Sequence, residues 1–402
     1  MPHQRLRYVE PHIRKALTYS AIVGVIGHRQ VGKTTLVSKI GNEYITFDNE
    51  IQLRKAFLDP INYLLGHKSP FTIDECQLCH AIFPSLKDHV RINKKPGQFL
   101  LTGSVRFSSR KAIKESLTGR IANVEVYPLT ISEIYRRPLP DLVLKILQGS
   151  LEKILAQHCP HATMTKTNLL YYLDTGGLPG ICFFRSPEIR LKKWADHLET
   201  VLDRDLRLIV ETSIPYPTLK NLVIVLAEAQ GEPFEYASLS RKTRISALTL
   251  KRLLFALEGI FLIRTLPASG GLNTPTFYFE DQGFVSFLLS RIGFVQQMDQ
   301  KTIVRLIHSC VLPQFRYRPE SIPQFFQFKT RGGAFVPFGI KTRYGTLGLI
   351  ANPDSDPLPS SIASAKSFLR HHSQSKVLII CSDGKPRILS PQIASMPVWW
   401  VI

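Results

Sequence analysis

Gly27-His28-Arg29-Gln30-Val31-Gly32-Lys33-Thr34 fits G-x-x-x-x-G-K-[ST] at every fixed position. That pattern is a phosphate cradle. Its glycines let backbone N–H groups curl around a polyphosphate, Lys33 reaches the terminal phosphates, and the Thr34 hydroxyl is placed to ligate Mg²⁺. Ala21-Ile22-Val23-Gly24-Val25-Ile26 reads as a buried strand running into the loop, and Thr34–Ile40 reads as the helix that follows. The helix N-terminus would add free N–H groups and a favourable dipole. The candidate phosphate contacts are therefore Gly27, His28, Arg29, Gln30, Val31, Gly32, Lys33, Thr34 and Thr35.

Working outward, residues 16 to 137 alternate short apolar strands with amphipathic stretches, the pattern of an α/β domain with a largely parallel sheet. Further strands are expected at Tyr44–Phe47, Phe71–Ile73, Gln98–Thr102 and Ile121–Val126. The third strand ends in Asp74-Glu75. A phosphate loop that hydrolyses its ligand needs such an end: Asp74 for the metal and its water shell, Glu75 as the base that orients attacking water. A sensor of the terminal phosphate is expected from a neighbouring strand end. Leu100-Leu101-Thr102-Gly103-Ser104 supplies Thr102, with Ser104 next. An arginine that stabilises the transferring phosphoryl group is also needed, and Arg120 is the candidate.

Six cysteines in 402 residues do not make a disulfide scaffold. Cys76-Gln77-Leu78-Cys79-His80 matches the c-type haem attachment spacing and C-x-x-C also suits zinc or redox chemistry, but no second cysteine pair follows to complete a zinc site, no export signal supports haem attachment, and the acidic strand end explains the segment better. The net charge of +20 favours anionic partners, nucleotides or nucleic acids among them. Basic residues are spread widely, as in Arg91-Lys94-Lys95, Arg106-Arg110-Lys111-Lys114 and Arg241-Lys242-Arg244, so a solvated basic surface is the competing reading. No apolar run reaches the roughly 18 residues of a membrane span. The N-terminus has charge with no apolar core behind it, so a cytoplasmic chain without a secretory signal is expected.

Beyond residue 137 the pattern turns helical. Asp141–Gln157 and Ile189–Val210 carry apolar residues at three- and four-residue spacing, interrupted by Gly176-Gly177-Leu178-Pro179-Gly180. Residues 216 to 270 read as a winged helix: helices Leu219–Gln230, Glu235–Lys242 and Ala247–Leu257, then a wing strand Gly259–Arg264. Lys251 and Arg252 would be available to a DNA groove, although a packing or oligomerisation module fits the same pattern. Residues 271 to 402 read as a separate α+β unit.

These stretches together resemble a family, the prokaryotic AAA-type ATPases with a winged helix and a C-terminal domain whose core is similar to a restriction endonuclease. The similar segments are Gly27–Thr35, Tyr44–Asp48, Ala56–Pro60, Ile73–Gln77, Leu86–Val90, Gly97–Ser104, Glu115–Arg120, Tyr127–Leu129, Gly176–Pro179 and Leu202–Arg207. The resemblance runs from about residue 15 to 270 and implies ATP with Mg²⁺. It divides the chain into a P-loop domain (1–137), a helical lid (138–215), a winged helix (216–270) and a nuclease-like domain (271–402).

The C-terminal part departs from that pattern. Nuclease-like relatives carry an acid and then E-x-K on adjacent strands, and two carboxylates there hold a metal that activates water. Here Gly339-Ile340-Lys341 stands at the E-x-K position, and Gly333–Pro337, read as the preceding strand, has no acid. A lone Lys341 cannot hold a divalent metal, so this domain is expected to lack nuclease activity. The expectation is an AAA-type ATPase whose turnover drives or signals a conformational change. Its rival is a nucleotide-regulated nucleic-acid-binding protein with little or no turnover. No acceptor-site signature supports a kinase. If Arg120 acts on a neighbouring copy's nucleotide, the active form is a homo-oligomer.

Overall fold

The computed structural model describes residues 4–107, 115–157, 164–271, 274–294 and 297–402; Arg110, Lys111 and Lys114 of the basic surface lie outside them. Five parallel strands open the chain: β1 (Ile22–Gly27), β2 (Glu43–Thr46), β3 (Phe71–Asp74), β4 (Phe99–Gly103) and β5 (Ile121–Val126), in the spatial order β2-β3-β4-β1-β5. β1, β3 and β4 are buried along their whole length, which is why they read as continuous apolar runs. β4 stands between β1 and β3, pairing Val25 with Thr102 and Ile73 with Leu101. The phosphate loop, Asp74 and Thr102 therefore emerge side by side at the carboxyl edge, where open α/β sheets bind ligands.

Residues 138–215 do not form one packing unit. Leu142, Ile146, Leu169 and Leu173 join a core with Phe338, Leu347 and Leu378 of the C-terminal sheet. Trp194, Leu198 and Leu202 instead pack with Val23, Val25 and Leu36 of the first sheet. Helical periodicity marks a buried face but not the core that receives it. Lys376 underlines the first association. Its Nζ donates to the carbonyl of Ile146 at 2.6 Å and also to that of Gly149, satisfying orphan acceptors at the end of the helix Leu142–Gln148.

Three helices follow, Tyr216–Ala229, Tyr236–Thr243 and Ala247–Gly259, and then a two-stranded antiparallel ribbon of β6 (Ile263–Leu266) and β8 (Thr276–Phe279). The second strand of that ribbon lies past residue 270, so the expected boundary there cuts through a pair of bonded strands. The last sheet has seven strands in the order β13-β14-β12-β11-β10-β9-β7. It comprises β7 (Ala268–Ser269), β9 (Gln324–Lys329), β10 (Phe335–Thr342), β11 (Gly345–Asn352), β12 (Ser375–Cys381), β13 (Arg387–Ser390) and β14 (Ile393–Pro397), with the helix Pro359–His371 between β11 and β12. Gly333–Pro337 and Gly339–Lys341 do not lie on adjacent strands as expected. Phe335 to Thr342 is one strand, and a bulge between Val336 and Gly339 breaks its register with β9 and its periodicity.

A partly buried ionic network joins the units. Arg264 on β6 bonds Glu125 on β5 at 2.7 Å and also Glu280 just after β8, and Arg316 bonds Glu280 at 2.7 Å. Burial pushes the Glu280 carboxyl up, but Arg316 and Arg264 outweigh it and hold the group far below the usual carboxylate range. Among the described residues no helix is long and apolar enough to cross a membrane.

Candidate nucleotide site

The loop after β1 owes its shape to two left-handed residues, Gln30 (φ 65°) and Gly32 (φ 92°). Gly27 has a different constraint: a Cβ there would lie 2.2 Å from the Val126 carbonyl oxygen of β5. The helix behind the loop is short, Lys33–Val37. Lys33 is buried, and its Nζ donates to the carbonyls of Gly27 and His28 at 2.9 Å each. Burial lowers the affinity of this ammonium for its proton, while Glu75, Asp74 and Asp205 act against that. Thr34 and Thr35 are exposed at the mouth.

Asp74 is the hub of the acidic side. Its Oδ2 accepts from Thr34 Oγ1 at 2.9 Å and from the Tyr44 hydroxyl at 2.8 Å, and its Oδ1 accepts from Thr102 Oγ1. Thr102 Oγ1 in turn accepts from the Glu75 backbone N–H at 3.0 Å. Glu75 sits in the left-handed region at φ 53°, which turns its side chain away from the strand direction. Gln77 Nε2 donates to Glu75 Oε2 and, at 3.4 Å, to Ser104 Oγ. Thr34, Asp74, Glu75 and Thr102 are thus brought together as the sequence pattern anticipates, and Ser104 reaches the group through Gln77. Cys76 and Cys79 are buried in the apolar core beneath.

The far wall comes from distant sequence. Arg29 faces Asp205 at 3.6 Å. Asp205 closes a single π-type turn, Val201–Asp205, that interrupts the helix begun at Pro187. Such turns recur at functional sites because they re-aim one side chain. Burial raises the Asp205 carboxyl to about 6 despite Arg29. His28 Nε2 lies 2.9 Å from His197 Nε2, and His28 Nδ1 lies 2.7 Å from the Ile260 carbonyl, so the loop touches both the helix Pro187–Thr200 and the end of the three-helix module. Arg7 holds the loop from the other side. It donates to the Val31 carbonyl at 2.7 Å and the Tyr127 carbonyl at 2.7 Å, and pairs with buried Glu133 at 3.2 Å. A cavity of about 480 Å³ adjoins Gly32 and Thr35, walled by Arg5, Leu36, Pro179 and Phe183.

Arg120 is not drawn into this group. Its Nη1 donates to the carbonyl of its own neighbour Thr118 at 3.2 Å. Tyr44, Gln77, Arg7, His197 and Asp205 were not anticipated from the sequence as site residues. Tyr44 carried one usable signal, since the parallel register sets Thr46 beside Asp74 and so brings β2 alongside the acidic strand end. Arg7, His197 and Asp205 lie too far away along the chain for spacing to reveal them.

Comparison with known proteins agrees with this geometry over the first third of the chain. Residues 19–135 match an AAA domain family. Residues 166–293 match a domain of unknown function, DUF8612. Two curated relatives, the uncharacterized proteins Mb2031c of Mycobacterium bovis and Rv2008c of Mycobacterium tuberculosis, are each 30% identical over 287 residues. The match covers 69% of this chain and 58% of each relative, so the chain spans little more than half their length. Among solved structures, the Walker-type ATPase paby2304 of Pyrococcus abyssi aligns over 70% of this chain and 94% of its own, at 14% identity and a TM-score of 0.37. The Aeropyrum pernix Orc1 protein, solved in complex with DNA, aligns over 73% of this chain and 94% of its own at 14% identity and a TM-score of 0.27. On the strength of the loop, the strand order and the family match, residues 19–135 form an AAA-type P-loop domain.

Proposed function

We propose that this chain binds ATP with Mg²⁺ and hydrolyses it to drive or signal a conformational change. The observation that carries the reading is the bonded series Thr34–Asp74–Thr102–Glu75 set beside Lys33. The donor set suits a hard cation, because a hydroxyl and a carboxylate oxygen stand 2.9 Å apart at the loop mouth. Thr34 and Asp74 would hold Mg²⁺, which when bound neutralises charge on the phosphate oxygens.

The protein groups divide the remaining work. Lys33, freed from the Gly27 and His28 carbonyls, reaches the terminal phosphates. Glu75 orients the attacking water, with Gln77 holding one of its oxygens. Thr102 ties the acid pair together and senses the terminal phosphate. The adjoining cavity has room for the nucleoside. Arg120 acts, in this reading, on the nucleotide of a neighbouring copy, which makes the active form an assembly.

His28 and Arg29 give the phosphate loop direct contact with the lid and the three-helix module, the route by which turnover would move them. The three helices and the β6–β8 ribbon serve as a winged helix with Lys251 and Arg252 exposed. The C-terminal unit is an inactive relative of a nuclease: its six strands β9 to β14 contain no Asp or Glu.

The test is steady-state phosphate release from MgATP, with and without duplex DNA, beside Glu75→Gln and Lys33→Ala. Turnover that vanishes in Glu75→Gln with ATP binding kept supports the ATPase. Tight ATP binding without turnover in the unaltered chain overturns it in favour of a nucleotide-regulated binding protein.

A further inference from the structure

A second concave surface lies far from the P-loop along the β7–β9 edge of the C-terminal sheet. Two adjoining cavities of about 560 and about 420 Å³ share His371 in their walls. The first is bounded by Gly270 and Gly271 after β7, by the β9–β10 turn with Arg331, and by Arg370 at the end of the helix Pro359–His371. The second is bounded by Lys341, His372 and two half-buried aromatics, Phe325 and Phe326. Together they form one groove.

The charge of this groove is one-sided. No Asp or Glu lines either cavity. Residues 321–353 and 357–382 contain lysines and arginines but no carboxylate at all. The nearest acids in sequence are Glu320, in the turn before β9, and Asp354, Asp356 and Asp383, in loops after β11 and β12; Asp356 is already paired with Arg387. Arg331, Lys341 and Arg370 are exposed, and none of them pairs with a carboxylate among the described residues. His372 feels the crowding: burial lowers its proton affinity, and His371 and Lys341 lower it further. Like charges gathered without counter-charge are relieved by an anionic partner.

The shape selects among anions. One small anion needs one pocket, whereas two contiguous basic cavities suit a chain of repeating charge. The aromatics narrow the choice. Phe326 lies against His372 with centroids 5.3 Å apart and near-parallel to Phe368 at 6.2 Å, a short platform at the groove wall. Among the described residues β7 pairs with Gln327 and Phe328 of β9, and no strand is paired to Gln324–Phe326 on that edge. Basic side chains that follow a backbone, beside aromatic faces that accept any base, are the elements of single-strand binding.

We infer that this groove binds single-stranded nucleic acid, with Arg331, Lys341 and Arg370 on the phosphates and Phe326 beside the bases. This inference is independent of the nucleotide site and does not need turnover.

The test is fluorescence anisotropy of a labelled 20-nucleotide oligothymidine titrated with the full chain at several salt concentrations. A triple Arg331→Ala, Lys341→Ala, Arg370→Ala variant is expected to lose at least about tenfold in affinity. Its log–log salt slope should fall by roughly 2, since each lost single-strand phosphate contact removes about 0.7. Binding of a fluorescent ATP analogue by the same variant should be unchanged, which separates this surface from the P-loop and controls for folding. Full affinity in the triple variant overturns the inference. So does duplex of equal length binding more tightly than the single strand, or a polyglutamate peptide binding while the oligonucleotide does not.

Discussion

His28 of the phosphate loop and His197 of the helix Pro187–Thr200 meet Nε2 to Nε2 at 2.9 Å, both buried. His28 Nδ1 spends its proton on the Ile260 carbonyl, so His28 Nε2 accepts and His197 Nε2 donates. This arrangement requires His28 Nε2 to be free of a proton, so protonating His28 breaks the contact. Burial lowers His28 to about 4 and drives His197 well below its ordinary value.

A pH dependence of stability follows. Below the ordinary histidine value of about 6.5 the unfolded chain takes up protons that the folded chain refuses. Stability should therefore fall as pH drops from about 6.5 toward the folded value of about 4 for His28. Thermal midpoints measured at steps through this range should fall more steeply for the unaltered chain than for His28→Asn. Equal slopes in the two would exclude the histidine pair as a source.

Asp205 gives the opposite sign. Its carboxyl is raised to about 6, so the folded chain binds a proton that the unfolded chain has already released near pH 4. Stability contributed by the protonated form is lost as pH rises through about 6, and the ionised group burdens the fold at neutral pH. Asp205→Asn should gain about 1–2 kcal/mol at pH 7.5, roughly half of that at pH 5, and little only near pH 4. It should also slow turnover, because Arg29 loses its partner. A midpoint that drops at both pH 7.5 and pH 5 would mean that the ion pair outweighs the burial.

Arg7 should matter out of proportion to its place at the chain start. Arg7→Ala leaves Glu133 buried without its partner and frees the Val31 carbonyl, a loss of about 3–5 kcal/mol. Arg7→Lys keeps the charge but cannot reach Val31, Tyr127 and Glu133 together, so an intermediate loss is expected. Chemical denaturation curves check the order. ATP affinity should weaken in the same order, as the loop loses its outer support.

Thr102→Val removes the hydroxyl between Asp74 and the Glu75 backbone while keeping the volume. Turnover should fall at least about tenfold, with the dissociation constant for ATP within about threefold. Thr102→Ser should restore most of the rate. A loss confined to binding would move Thr102 from the chemistry to the fold.

Arg120 tests the assembly. Arg120→Ala and Lys33→Ala should each be inactive alone, and mixing them should recover part of the turnover if sites are shared between copies. Gel filtration of the ATP-bound protein checks the same point: a monomer that turns over at full rate excludes the shared site.

What the sequence made legible follows from where the information sits. The phosphate loop is eight consecutive residues, and Asp74-Glu75 and Thr102 each end an apolar strand, so local pattern is enough to find them. The strands β1, β3 and β4 were legible for the same reason, being buried along their whole length. His197 and Asp205 become site residues only when their helix folds back over the loop, and one π-type turn decides which of its side chains faces Arg29. The partition of residues 138–215 between two cores is equally invisible to periodicity. β10 was misjudged as parts of two strands because the bulge between Val336 and Gly339 puts a proline and a glycine inside one strand.

The network of Glu125, Arg264, Glu280 and Arg316 has a mechanical meaning. These four residues come from the first sheet, the ribbon and the C-terminal unit, with Arg264 and Glu280 standing between the outer two. Glu125 also faces Arg106 at 3.7 Å, so Arg264 is the group that loses most if the ribbon leaves the first sheet. A guanidinium drawn out of such a set is left short of counter-charge, which opposes free swinging at this joint. A displacement of β5 is thereby coupled to the ribbon through one side chain rather than taken up by a linker.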